Sequence, residues 1–417
     1  MQPGTTDGDR VLRILMAMAD VQRALVVGGG VAGPVTALAL GRAGIEATVF
    51  EAYDGPAVDA GGALMLAPNG LAAVRIVGVD AALQAVGLPI RVQEFGHGTG
   101  KRFGRVGVLP GLEPSLLVPR GELCRVLSEA AVDAGVKMEY GKRLVGVEER
   151  PDSIVARFAD GTTAEGDVLI GADGIHSVVR SLIDPSAPGP RHAGLISFGA
   201  PAPASTSPAW VRDDEMYFVM GRQAFFGYFR QADGRMMWFS NLPFERPLTG
   251  PEARAVPKAQ WWEQLKQAYA GDIPAEAMVA ASNPDDLIVL GSMEAMPPVP
   301  HWFRDRMVLV GDSVHAPSSS SGQGASLTME SAIQIARCLR DLPDLPSAFA
   351  AYEALRRRRV EDIAATAART NSQKSGGPVQ RGLIRVLAPV FMKTFLTPEK
   401  MFGPVHRYRI EWDERVV

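Results

Sequence analysis

The chain runs to 417 residues, enough for two or three domains and a large core. Its hydrophobic fraction of 47% and charged fraction of 21% are those of a soluble globular protein, and a net charge of −3 offers no basic field to nucleic acid or an anionic membrane. Two cysteines, Cys124 and Cys338, leave little room for a disulfide framework or a cysteine metal site and point to a reducing, cytoplasmic setting.

The first twenty residues carry a short apolar patch at Val11–Met18 but no basic start or cleavage signal. They read as a disordered extension, or as sequence upstream of a start at Met16 or Met18. No apolar run reaches the ~18–20 residues of a membrane span. The first organised stretch is RALVVGGGVAGPVTALALGRAGIEATVFEA. It predicts a buried strand at Ala24–Val27, a helix at Pro34–Ala43 capped by Gly44, and a second strand at Ala47–Phe50. A helix near Asn69–Val77, strands and turns over 90–108, and a helix ending at Gly135 follow. The run from Met138 alternates in a strand-like way around a hairpin turn at Ala159–Gly161, then enters a buried strand at Val168–Ile170.

After Pro185 the composition turns to proline and small residues, then to EMYFVMGRQAFFGYFRQADGRMMWFSNLP, which reads as antiparallel sheet. Near Leu287 the β-α pattern returns. It leads through VLVGDSVHAPSSSSGQGASLTMESAIQIARCL into a long arginine-rich helix over about 345–370, a Gly-Gly break at 376–377, and an apolar helix at Leu383–Phe395. The predicted fold is α/β: a Rossmann-like domain interrupted by an antiparallel-sheet domain, with C-terminal helices. Its first part is 20–187 (strands near 90–108 joining the second domain), the sheet domain is 188–284, the second part is 285–375, and 376–417 is a C-terminal helical segment.

Gly28-Gly29-Gly30-Val31-Ala32-Gly33 fits G-x-G-x-x-G directly after a strand and at a helix start. Pyrophosphate binding needs that tight turn, close backbone approach and free amides. Glu51 ends the next strand 18 residues past Gly33, where a carboxylate can accept both ribose hydroxyl hydrogens. These features predict a dinucleotide without separating FAD from NAD. Two further sites separate them: Asp173-Gly174 after the strand of DVLIGADGIHSVVR, with Arg180 downstream, and Gly311-Asp312 at the end of VLVGD.

With the glycine fingerprint, these motifs resemble those of the single-component FAD-dependent aromatic hydroxylases, the monooxygenases typified by para-hydroxybenzoate hydroxylase. The likeness runs to about residue 370. It implies that Asp312 meets the ribityl chain of FAD and that Gly322, Gln323, Gly324 and Ala325 lie against the flavin pyrimidine edge. It also implies that Arg120 reaches FAD, that Gly61-Gly62 lets the loop after Glu51 pass the flavin, and that Asp173 places FAD and the incoming nicotinamide. Asp173 also fits a turn-stabilising aspartate, and Arg120 an ordinary surface cation. Pro317 and Ser318–Ser321 form the loop beside the ring, either a roomier, polar entrance or a solvated loop.

The implied reaction reduces FAD with transiently bound NADH or NADPH, since no second dinucleotide fingerprint exists. O2 then adds at flavin C4a, and the resulting hydroperoxide passes its distal oxygen to an electron-rich substrate. The flavin carries this chemistry, so no protein nucleophile is expected. Substrate contacts are expected from the sheet domain, among Tyr217, Phe225, Phe226, Tyr228, Arg230, Met237, Trp238 and Phe239. Foremost are Tyr217, Phe226, Tyr228, Arg230 and Trp238, with Pro317 from the loop. Such a wall suits a flat, mostly apolar or polycyclic aromatic. A flavin epoxidase shares the motifs, and a non-turnover flavin redox sensor is the reading from another class. A halogenase would need a Trp-x-Trp-x-Ile-Pro segment that is absent. The six histidines show no metal-ligand spacing, His315 beside Ser313 lacks a nucleophile elbow, and Arg356–Arg359 reads as a solvated helix face. No nucleic-acid or membrane partner is expected, and monomer and homodimer stay open.

Overall fold

The computed structural model describes residues 21–57, 62–375 and 397–417. The predicted extension at 1–20, Gly61, the Gly-Gly break and the apolar helix at Leu383–Phe395 lie outside the described residues. Strand β1 (Arg23–Val27) turns through the glycines into helix α1 (Ala32–Arg42) and returns as β2 (Glu46–Phe50). Apolar side chains fill both faces of β1 and β2, as a strand covered by helices on either side requires.

Strand β3 (Ala63–Leu66) leads to α2 (Pro68–Arg75), and then come β4 (Leu88–Ile90), β5 (Val92–His97), β6 (Arg102–Gly107) and β7 (Ser115–Pro119). Helix α3 (Arg120–Asp133) precedes β8 (Lys137–Glu139), the antiparallel meander β9 (Leu144–Glu149), β10 (Ile154–Phe158) and β11 (Thr163–Gly166), and then β12 (Val168–Gly171). Helix α4 (Val178–Ile183) leads to β13 (Arg191–Ala202), β14 (Glu215–Met220), β15 (Phe225–Arg230) and β16 (Met236–Pro243). Helices α5 (Lys258–Tyr269) and α6 (Ala275–Ala281) come next, followed by β17 (Ile288–Ala295), β18 (Phe303–Arg304) and β19 (Met307–Leu309). The chain continues through α7 (Gly324–Asp341), α8 (Leu345–Ser375) and α9 (Pro398–His406).

Two sheets organise the molecule. The first has the order β18-β19-β12-β1-β2-β8, parallel except for β18. The second has the order β17-β13-β16-β15-β14-β5-β6 and is antiparallel except where β14 runs parallel to β5. A short third sheet, β3-β7-β4, lies in the same part of the chain as the strands sent to the second sheet. The predicted return to the first unit at 285 is corrected by β17, which pairs with β13 and keeps the chain in the second sheet to Ala295.

Each sheet has its own core. Val26, Val49, Ile170 and Val308 of the first sheet pack with Leu40, Leu327 and Ile333. The outer face of the second sheet packs on α5 and α6 through Trp238, Phe226, Trp261 and Met278. Burying side chains of this size contributes about 1.5–3 kcal/mol each. Helix α7 is buried on every side, each residue from Ser326 to Leu339 being enclosed. It is the central helix, enclosed by α1, α2, α8 and the C-terminal segment, so its polar positions must find internal partners.

Candidate active site

The three glycines of the first turn do different work. Gly28 holds φ at +107°, and a Cβ there would come within 2.4 Å of the Ala172 carbonyl oxygen. A Cβ on Gly33 would sit 1.9 Å from the Gly28 carbonyl oxygen, so the helix can start only over bare backbone. Gly30 faces open space, with nothing within 4 Å of an added Cβ. Helix α1 begins with Val31 at its cap, no side-chain cap and no acid in its first turn, so its leading amides are left for a ligand. Val31 and Ala32 line the same cleft. Glu51 sits against this turn: Oε2 accepts from Gly29 N at 2.6 Å and Oε1 from Tyr53 N at 2.9 Å.

The second strand end is braced from within. Asp173 accepts hydrogen bonds from Ser177 Oγ at 2.5 Å, Val178 N at 2.7 Å and Val179 N at 3.1 Å, so its carboxylate caps α4. Burial pushes its pKa up against those bonds. Arg180 then reaches across, donating to Ser313 O at 2.8 Å and Ile175 O at 2.9 Å. Ser313 Oγ donates to Gly171 O at 2.7 Å and Val310 O at 2.8 Å, which stitches the Asp-Gly and Gly-Asp strand ends together. His315 bonds Ser331 and is held neutral, burial lowering its pKa to about 3. Neither side chain is a nucleophile.

Asp312 is exposed to the cleft. The surrounding protein raises its carboxyl pKa, opposed by the Arg120 guanidinium and a hydrogen bond from Thr328. Gly311 ahead of it holds φ at +66° where a Cβ would press on Thr328. Arg120 is exposed to the cleft, its backbone N–H bonded to Gly62 O at 3.0 Å. Gly62 holds φ at +85°. Gly322 closes the serine turn in the left-handed conformation, and Gln323 bonds Asn69 at 3.1 Å. Gly324 starts α7 with open space before it, no side-chain cap and no acid in the first turn, and Ala325 lines the cleft beside it.

These residues fit a bound flavin dinucleotide. Two uncapped helix starts with unobstructed space face one cleft, and the carboxylates of Glu51 and Asp312 stand at the ends of their strands. The cleft encloses about 3480 Å³, several times the few hundred to a thousand of a single small-ligand pocket.

The sheet wall corrects the sequence expectation. Side chains alternate along a strand, and the register sets Tyr217, Tyr228 and Trp238 side by side on one face, with Phe226 beside them. That face is the outer one. Tyr217 stacks on Tyr228 and bonds Glu215, Trp238 stacks on Phe226 and donates to Ser282 Oγ at 3.0 Å, and all four are core, although Trp238 also borders the cleft. Arg230 is tied to Asp213 at 2.9 Å and Ser207 at 2.8 Å and is absent from the cleft lining. The opposite parity faces the cleft: Met216, Phe218, Phe225, Phe229, Met237 and Phe239. Gly227 lies among them because the Phe239 ring covers it, an added Cβ falling 2.1 Å from Phe239 Cζ. Pro317 lines the cleft as expected.

Sequence reasoning missed Lys374. It comes from the far end of α8, with Nζ 3.8 Å from the centroid of Phe225, 3.0 Å from Ser320 Oγ and 3.3 Å from Asn241 Oδ1. No spacing rule links residues 225, 241, 320 and 374. The arginine run on α8 is also corrected. Arg356 is fully buried and pairs with Glu330 at 2.6 Å, and Arg359 pairs with the same carboxylate at 2.8 Å. Arg357 lies over Trp302, and only Arg358 of the four is solvated. Among the described residues no cluster of histidine, cysteine and carboxylates could hold a metal, and no helix is long and apolar enough to cross a membrane.

Residues 21–367 match the FAD binding domain family. The chain is 30% identical over 347 residues to the aurachin C monooxygenase/isomerase of Stigmatella aurantiaca, covering 82% of this chain and 86% of that protein. It is 31% identical over 353 residues to the 3-amino-4-hydroxybenzoate 2-monooxygenase of Streptomyces cremeus, covering 82% and 84%. Klebsiella pneumoniae HpxO, solved with FAD and uric acid, superposes with a TM-score of 0.80 at 25% identity over 93% of this chain and 96% of that one.

Proposed function

This chain belongs to the single-component FAD-dependent aromatic monooxygenases, and from that premise we propose that it uses NAD(P)H and O2 to hydroxylate a mostly apolar aromatic held against the inner face of the second sheet. One observation carries the substrate reading: that face is a continuous surface of phenylalanine and methionine turned toward the glycine turns. Edge and face contacts with such rings favour a flat aromatic, and methionine adapts to its outline. Two of the proteins compared are named for, or solved with, flat ring compounds, 3-amino-4-hydroxybenzoate and uric acid, which share the planarity but are polar, so the apolar character rests on the wall alone.

In this reading the Gly28–Gly33 turn and the start of α1 would take the pyrophosphate, and Glu51 a ribose. Asp312 would take the ribityl hydroxyls, with Arg120 beside it. The start of α7 at Gly322–Ala325 would meet the edge of the flavin ring, where backbone amides and the helix dipole favour negative charge. FAD, when bound, would supply the redox chemistry, in which two electrons from the nicotinamide reduce O2 so that one oxygen atom goes to the ring and the other to water. The protein's share is to orient the substrate and keep water out, and the apolar wall with Pro317 serves both ends.

The test is NADH and NADPH oxidation by the FAD-loaded protein with a panel of phenols, indoles and polycyclic aromatics. At least one compound should accelerate oxidation and gain a single oxygen by mass. No stimulation by any compound, together with a flavin that neither nucleotide reduces, would overturn the reading.

A further inference from the structure

Lys374 is out of place for a lysine. The residue is half-buried, its ammonium is packed over an aromatic face, and among the described residues no carboxylate stands within ion-pair distance. Burial alone lowers its pKa to about 7. A buried cation without a counter-charge costs free energy unless something supplies one. Its known partners, Asn241 Oδ1 and Ser320 Oγ, are neutral, and they leave one of three ammonium hydrogens for another acceptor.

The positions of those partners say where that acceptor lies. Asn241 ends the row of cleft-facing side chains on β16, in register with Phe225 on β15. Ser320 belongs to the serine turn that leads into the glycines before α7. Lys374 therefore joins the aromatic wall to the loop expected beside the flavin. With Nζ covering the face of Phe225, a flat ring lying against Phe218 and Phe239 beside it would present an edge substituent to Nζ.

We propose that Lys374, held by Asn241 and Ser320, is a specificity-determining residue that anchors an ionisable ring hydroxyl of the substrate. The enzyme therefore selects phenols and enols over the same rings with that oxygen capped. This rests on the substrate reading above and narrows it. A carboxylate offers the same anionic oxygen, but planar bidentate recognition favours arginine, whereas a single oxygen suits the point charge of one lysine. When the amine is neutral, the hydroxyl proton passes to Nζ and the pair becomes ammonium and phenolate. When it is already charged, that proton leaves to solvent. Either way the ring keeps the electron pair and becomes a better oxygen acceptor.

The experiment compares 2-naphthol with 2-methoxynaphthalene, by calorimetry, on the holoenzyme and on K374M, K374R and N241D. A charge-assisted hydrogen bond amounts to roughly a tenfold or greater preference for the naphthol in the wild type. In K374M the preference should fall to within about twofold, with the ether's own affinity little changed, while K374R restores part of it. Asn241→Asp leaves the lysine in place but gives it a counter-charge, so the preference should collapse there too. Retention of most of the preference in K374M, or equal or absent binding of both probes by the wild type, overturns the anchor. 2-Naphthoate binding better than the naphthol would assign the site to a carboxylate and overturn it as well. Flavin content and flavin reduction by NAD(P)H are measured separately. Their failure refutes the monooxygenase reading, while the naphthol pair still reads Lys374.

Discussion

A buried lysine leaves a mark on stability as well as on binding. The ammonium of Lys374 titrates near 7 in the folded protein against 10.5 in the unfolded chain, because burial disfavours its charge. The folded state therefore carries its full penalty below about pH 7, sheds it as pH rises, and is free of it above the unfolded value. Substituting methionine removes the ionisable group and keeps the length. K374M should be more stable than the wild type by at least ~1 kcal/mol at pH 6.5, and the two should converge as pH approaches 10.5, read from denaturant midpoints of the holoenzyme. A difference that stays flat with pH would mean the amine is not buried as charge. At this scale the sheet wall also shows what one sequence withholds. Tyr217, Phe226 and Trp238 are as aromatic as Phe218, Phe225 and Phe239, so composition does not say which parity faces the ligand. The helices that bury the outer face, through Trp261, Trp262 and Tyr269, decide it, and they come later in the chain.

Among elements, α7 and α8 show how a polar core is paid for. Glu330 lies on a helix buried all round and receives Arg356, Arg359 and Asn69. Burial pushes its carboxyl pKa up, but the two arginines outweigh that and hold it below the usual range. The same arginines carry the C-terminal segment: Arg359 donates to Pro404 O at 3.2 Å and Val405 O at 3.0 Å, and Tyr408 lies 4.0 Å beneath its guanidinium. Glu330→Gln keeps the shape but leaves Arg356 buried without its counter-charge. It should cost about 3–5 kcal/mol in guanidinium unfolding, the usual loss when one partner of a buried pair is removed. A loss under ~1 kcal/mol would show that Tyr408 and the backbone carbonyls suffice. The glycine turn, Glu51, the two Gly-Asp-type strand ends and α1 were all legible in the sequence, because each is set by backbone geometry within a few residues. Arg356 and Lys374 were not, since a charged side chain's partner is a matter of tertiary position. A run of four arginines reads as a solvated face, whereas Glu330 on the neighbouring helix draws Arg356 and Arg359 inward.

At the scale of the molecule, the cleft draws on both sheets, α7, α8 and the C-terminal segment. Uncapped amides at the starts of α1 and α7 are groups the fold leaves to a ligand instead of pairing internally, and the carboxylate of Asp312, with Thr328 as its internal partner, lines the same cleft. Cofactor binding is then coupled to the stability of the whole chain, since FAD held by the folded state alone adds RT ln(1 + [L]/Kd). With free FAD at a hundred times its Kd, that amounts to about 2.7 kcal/mol over the flavin-free protein. Gly28→Ala supplies the control. Its Cβ would meet the Ala172 carbonyl in a backbone conformation that alanine resists, so the turn must shift where the dinucleotide is expected. That variant should be purified with little flavin and should show almost no rise in unfolding midpoint on adding FAD, while the wild type gains the full increment. If G28A kept both its flavin and its increment, the glycine turn would not be where the cofactor's binding energy is spent. The assignment would then move to Asp312 and the start of α7.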